Sequence, residues 1–348
     1  MYSTDGRFIK DNYIYGVGNI PDEQVVPSND TSEIESLKSG ASIHKKIRSF
    51  IRPHLKPGLK LSELAELIEN KCMELTDGNG VNSGVGFPSS LSVNDCAAHF
   101  TPSKKYDVTL DKNSITKIDF GVEVNGWITD SAFTIAFNDK YKNLLDAVKE
   151  ATETGIKNAA IDVNIKEWGK DIQEVMESHE ITLDGKTTPI QVIKNLGGHN
   201  ILKNQIHGGV FLPGAYIDYY PENLRFKRGV YAVETFGSTK SDHVIEKKQE
   251  NSIYMNKART TYKVPKNKTK FYSNLLKNFY TIPYCDRYLD KLYSYDIYKP
   301  KMKKLVDLGI VNQYPPLHCK NGGMTAQYEH TIYLDEGKKI IFSKSTDY

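Results

Sequence analysis

Ile115-Thr116-Lys117-Ile118-Asp119-Phe120-Gly121-Val122-Glu123-Val124-Asn125-Gly126-Trp127-Ile128-Thr129-Asp130 is the stretch on which the fold turns. Asn125-Gly126 between two β-prone runs is the strongest short-range hairpin signal, because a two-residue type I′ turn needs positive φ at both central positions. Centred there, the hairpin sets Val124 against Trp127 and Asp130 against Gly121. Asp119 lies two residues before Gly121 and so shares its face. The two carboxylates become diagonal neighbours, roughly 7–8 Å apart at the backbone, and their side chains can converge. Like charges set among apolar strand residues are costly unless a cation neutralises them. A solvated outer face is the alternative reading of this hairpin, since Val124 and Ile128 do not sort cleanly by face.

Other polar residues share the pattern of a chemical group set in a β run. Asn195-Leu196-Gly197-Gly198-His199 places a histidine after a glycine pair, and Gln205-Ile206-His207-Gly208-Gly209 repeats the association. Glycines beside a histidine suggest close backbone approach. Glu234 stands alone inside Tyr231–Phe236, Glu329 inside Gln327–Ile332, and His99 follows Cys96-Ala97-Ala98 ahead of Thr101-Pro102. Each alone is more often a structural residue. Together they make a carboxylate-rich donor set that suits two hard to borderline divalent ions. A structural zinc would prefer Cys and His.

The rest of the chain reads as mixed α and β. Residues 1–30 carry turn residues and read as an irregular arm. Ser32 opens a capping box and a helix to Pro53, and Ser62 is placed to cap a second helix to Leu75. Further helices are expected near 140–157 and 165–178, with β runs at 191–196, 230–236 and 327–334. Residues 243–312 are rich in Lys, Tyr and Asn, contain two helical segments at 271–280 and 286–308, and read as an insert in the main domain of 31–348. A length of 348 residues allows one large domain or two, and a net charge of +3 does not announce a nucleic-acid protein. No 18-residue apolar run predicts a membrane span, and the start lacks the apolar core of a secretory signal. A cytoplasmic protein is expected, with its four scattered cysteines as reduced thiols.

The chain resembles a methionine aminopeptidase of the second type. The resemblance rests on Cys96-Ala97-Ala98-His99-Phe100-Thr101-Pro102, Lys117–Gly121, Asp130-Ser131-Ala132-Phe133-Thr134, Gly198-His199, Ile206-His207, Val233–Thr239, Tyr314-Pro315-Pro316-Leu317, Ala326-Gln327 with Glu329–Ile332, and Asp347-Tyr348. It implies the pita-bread fold, an α+β architecture of pseudo-symmetric βα halves around a central antiparallel sheet, with a helical insert walling the pocket. It implies two divalent ions (Mn, Co, Fe or Zn) held by Asp119, Asp130, His199, Glu234 and Glu329. Glu234 would also act as base, and His99 and His207 would touch substrate at the scissile amide. Phe87, Ile206, Ile253 and Tyr314 would contact substrate, with an apolar slot for methionine. The implied reaction is co-translational removal of the initiator methionine ahead of a small second residue, through an activated hydroxide.

The chain departs from this family at Ser252-Ile253-Tyr254-Met255, where a histidine usually follows the serine. Gly197 stands where a polar residue is common, and no long charged extension precedes the arm. Two rivals share the fold: a proline-specific aminopeptidase or dipeptidase, and a non-catalytic binding relative. Residues 256–270 hold six basic residues and no acid, a solvated loop or a transient ribosome contact. The family suggests a monomer, with methionyl nascent chains as partners and no membrane.

Overall fold

The computed structural model describes residues 7–10, 13–16, 31–78, 82–247, 253–257 and 266–348. At its centre is the hairpin of the opening stretch. Ile115–Val124 pairs antiparallel with Trp127–Ala136, setting Val124 against Trp127 and Gly121 against Asp130. Asn125 and Gly126 both take positive φ, at 54° and 86°, as a type I′ turn demands. Ser83–Val93 adds a third strand on the far side of Ile115–Val124. Phe87 opposes Gly121 there, and any Cβ on Gly121 would stand 2.4 Å from the Phe87 ring.

A second sheet has six strands. Gly229–Ser238 pairs with Thr325–Asp335 and sets Glu234 directly opposite Glu329. Gly197–Ile201 flanks Gly229–Ser238, with His199 opposite Ala232. Close approach explains the glycine before that histidine: a Cβ on Gly198 would lie 2.2 Å from the Ala232 carbonyl oxygen.

Trp127–Ala136 and Thr325–Asp335 run side by side where the two sheets meet, and hydroxyls join them. Thr331 Oγ1 donates to the Asp130 carbonyl at 2.6 Å and accepts from the Asp130 N–H at 2.8 Å. Thr134 Oγ1 serves Gln327 in the same way, donating at 2.7 Å and accepting at 2.8 Å. Ser131 Oγ donates to the Glu329 carbonyl. Buried backbone groups must find partners, and these side chains supply the rungs that the ladder does not.

Helices pack on the sheets. Thr31–Ile51 and Leu61–Leu75 bury Leu37, Ile47, Leu64 and Ile68, while Lys142–Asn158 and Ile165–Glu177 bury Leu144, Val148, Trp168 and Ile172. The second of these helices corrects the expected cap. It starts at Leu61 after Lys60, and Ser62 donates both its N–H and its hydroxyl to Asp107. A remote carboxylate, not a local hydroxyl, serves the first turn.

In a separate three-stranded sheet, Ile253–Asn256 is the middle strand between Tyr284–Cys285 and Val311–Tyr314. Lys266–Phe279, Asp286–Leu292 and Tyr295–Asp307 pack around it, with Tyr254, Leu275, Tyr284 and Tyr298 in their core. The expected single helix over 286–308 is broken because Tyr293 and Ser294 are extended. Arg287 ties this segment to the helix Leu61–Leu75 by a fork onto Glu69, at 2.6 and 2.9 Å, and bonds to Thr101 and Pro102. Within the segment read as irregular, Arg7–Lys10 pairs with Tyr13–Gly16. Most of the basic run 256–270 lies outside the described residues. Among the described residues no helix is long and apolar enough to cross a membrane.

Candidate metal centre

The two sheets deliver their carboxylates to one cavity of about 480 Å³. Asp119 and Asp130 come from the first hairpin, Glu234 and Glu329 from the second pair of long strands, and His199 from the flanking strand. Ligand atoms of Asp130, His199 and Glu329 all lie within 4.8 Å of one another, with His199 Nε2 3.6 Å from Asp130 Oδ2. His99, His207, Phe87, Ile206, Ile253 and Tyr314 line the same cavity. The His207 ring sits 4.5 Å from that of His199, edge to face, and Tyr314 lies 5.7 Å from both His99 and His207. The structure therefore brings together every residue singled out from the sequence.

A cation would relieve the electrostatics of this cluster. Burial pushes the Asp119 carboxyl up to about 7. Burial, and then the neighbouring carboxylates, push Asp130, Glu234 and Glu329 well above their usual range. Asp119 Oδ1 and Asp130 Oδ1 are buried with no hydrogen-bond partner among the described residues. Glu234 and Glu329 face each other directly across the strands, a destabilising pairing for like charges. Oxygen donors with one imidazole suit divalent ions, and the orphaned oxygens are what such ions would satisfy. Burial lowers His99 and His199 to about 4, so the imidazoles are neutral near pH 7 and each keeps a lone pair.

His99 has φ of 67°, uncommon for a residue with a Cβ, and its N–H donates to Ser90 Oγ at 3.1 Å. That conformation aims the ring into the cavity. No glycine or asparagine marks the position in the sequence. Gln327 is the residue the site reading missed. It is 1 % exposed, and its Nε2 donates to Glu234 Oε2 at 3.0 Å and Asp119 Oδ2 at 3.3 Å. Its place two residues before Glu329 on one strand was the available signal, because strand neighbours two apart share a face.

Residues 35–252 match the model of metallopeptidase family M24. A methionine aminopeptidase 2 from Komagataella phaffii is 41% identical over 344 residues, covering 97% of this chain and 76% of that protein. One from Clavispora lusitaniae is 42% identical over 317 residues, covering 90% and 72%. Among solved structures, a thermophilic Arx1 aligns with a TM-score of 0.78 at 17% identity, over 92% of each chain. A methionine aminopeptidase from Rickettsia prowazekii aligns with a TM-score of 0.62 at 16% identity, over 90% of this chain and 98% of that one. Identities this low speak for the shared pita-bread fold alone. The sequence relatives carry the assignment: the chain belongs to metallopeptidase family M24, in its methionine aminopeptidase 2 group.

Proposed function

We propose that this chain removes the N-terminal methionine from peptides and nascent chains whose second residue is small. The observation that carries the reading is the convergence of Asp130, His199 and Glu329 to within 4.8 Å, in a cavity that also holds Asp119, Glu234 and two further histidines. The five ligand candidates would hold two divalent ions, Mn, Co, Fe or Zn. Bound there, such ions lower the pKa of a water toward neutrality and polarise a carbonyl.

The chain's own residues do the rest. Glu234 accepts a proton from the attacking water. A neutral imidazole still carries one N–H, so His207 donates to the oxygen that becomes negative in the transition state. His99 stands at the scissile nitrogen and assists its departure. Phe87, Ile206, Ile253 and Tyr314 exclude water from the methionine side chain, whose full burial is worth roughly 1.5–3 kcal/mol. Residues 243–312 act as a subdomain supplying one wall. The reading includes action as a cytoplasmic monomer, with a transient ribosome contact through 256–270.

The test is release of methionine from Met-Ala-Ser against cleavage of Ala-Pro peptides, each with and without chelator. Chelator-sensitive release from Met-Ala-Ser supports the reading. Preferential cleavage of Ala-Pro would replace it with a proline-specific activity, and no cleavage of either with a binding role.

A further inference from the structure

Resting on the methionine reading, we propose that Lys257 is a specificity-determining residue. It favours methionyl chains that carry an acidic residue three to five positions from their N-terminus.

The strand Ile253–Asn256 is the wall along which this follows. Ile253 opposes Tyr314, Met255 opposes Asn312, and the Lys257 N–H continues the pairing onto the Ile310 carbonyl. Side chains alternate along it. Tyr254 packs into the insert core, and Asn256 donates to the Tyr280 carbonyl and accepts from the Tyr284 hydroxyl. Ile253, Met255 and Lys257 line the cavity, as does Asn256 between the last two. The first two are apolar and the third is a cation.

The wall also has a direction. Tyr314, beside Ile253, is the ring that touches both His99 and His207, so the Ile253 end lies at the reacting amide. Lys257 is four residues on, about 13 Å along a strand. An extended peptide covers about 3.3–3.6 Å per residue, so the same distance takes it roughly four residues beyond its first side chain. The lysine stem widens that to the third, fourth or fifth residue.

Charge completes the argument. Asp119, Asp130, Glu234 and Glu329 all line the cavity, which suits a substrate's free α-amine. Among the described residues, Lys257 is the single lysine or arginine lining the cavity, is half-buried, and pairs with no carboxylate. Gly309 lies beside its ammonium, 3.7 Å from where a Cβ would stand, and has no side chain to hold it. An acidic substrate side chain would find a cation unmatched among the described residues, and a basic one a like charge.

The test uses amidated peptides Met-Ala-Gly-X-Gly with X as Glu, Gln or Lys, so that no terminal carboxylate competes. Wild type should give kcat/KM in the order Glu, Gln, Lys, with about three- to tenfold between the extremes at low salt. The spread should collapse near 1 M salt, where screening acts over about 3 Å. Lys257→Gln should flatten the series and Lys257→Glu should invert it. Hydrolysis of all three peptides with the same Glu-to-Lys ratio in wild type and Lys257→Gln overturns the role of Lys257 and leaves methionine removal standing. Failure of the wild type to release methionine even from the Gln peptide overturns both.

Discussion

Thr331→Val tests whether the hydroxyl seam between the sheets positions the metal centre. Valine keeps the shape of threonine and removes one oxygen. That oxygen makes both hydrogen bonds available to the backbone of Asp130, at 2.6 and 2.8 Å. Asp130 is 4 % exposed, so water does not replace them. Each lost bond costs about 0.5–1.5 kcal/mol net, and leaving a buried group unmatched raises that to about 1–3 kcal/mol. The two together predict a loss of about 2–6 kcal/mol. Equilibrium urea unfolding measures it, and calorimetric titration with Mn²⁺ measures whether Asp130 still presents its carboxylate. Thr134→Val should cost the same stability through Gln327, whose N–H and C=O it serves. The two changes act on different residues and should add within about 0.5 kcal/mol. Thr331→Val with a loss below about 0.5 kcal/mol and an unchanged Mn²⁺ affinity would refute the reasoning.

Further expectations concern single groups. Asp130→Asn or Glu329→Gln should abolish activity and lower metal content while the fold survives; full activity at intact metal stoichiometry would sink the ligand assignment. His99→Ala and His207→Ala should each cut turnover by about 10²–10⁴-fold with metal content nearly unchanged, and metal lost together with activity would place them among the ligands instead. Burial opposes protonation of His318, but its bond to Asp95 Oδ2 at 3.1 Å outweighs this and raises it to about 9. Its contribution to stability is therefore complete below about pH 6.5 and lost as pH rises through 9. The melting temperature of wild type relative to His318→Gln should fall across that window, and a constant difference would show that the pair is not formed.

Legibility in the sequence followed how local each determinant was. The Asn125-Gly126 turn fixes its own register, so the facing of Gly121 and Asp130 followed from a few residues, and the structure reproduces it. The glycine before His199 flagged close packing because only a residue without a Cβ fits beside the Ala232 carbonyl. Determinants that join distant segments left no such trace. Asp107 serves the helix at Leu61, 45 residues away from Ser62, so a nearby serine drew the cap instead. The seam threonines sit among other β-branched strand residues, where threonine is expected for its shape alone. Gln327 carries no charge and no metal-binding habit, and its role exists only once two separate strands bring Asp119 and Glu234 to its amide.

The seam relates the two halves in a way that explains why that position holds an amide. Thr134 holds the backbone of Gln327, and Thr331 holds the backbone of Asp130. Thr134 and Thr331 are 197 residues apart, and so are Asp130 and Gln327. A local two-fold relation between the strands thus makes Gln327 the counterpart of Asp130. Symmetry alone would favour a carboxylate at both positions. Asp119, Asp130, Glu234 and Glu329 carry four negative charges when ionised, which the proposed pair of divalent ions neutralises in full. A fifth buried carboxylate would leave one charge uncompensated at low dielectric, a burden of several kcal/mol. Glutamine supplies the same reach with two N–H donors in place of the charge, and it spends them on the two carboxylates that stand outside the converging trio of Asp130, His199 and Glu329. One half of the fold contributes a ligand candidate at this position, and the other an amide that hydrogen-bonds two further candidates.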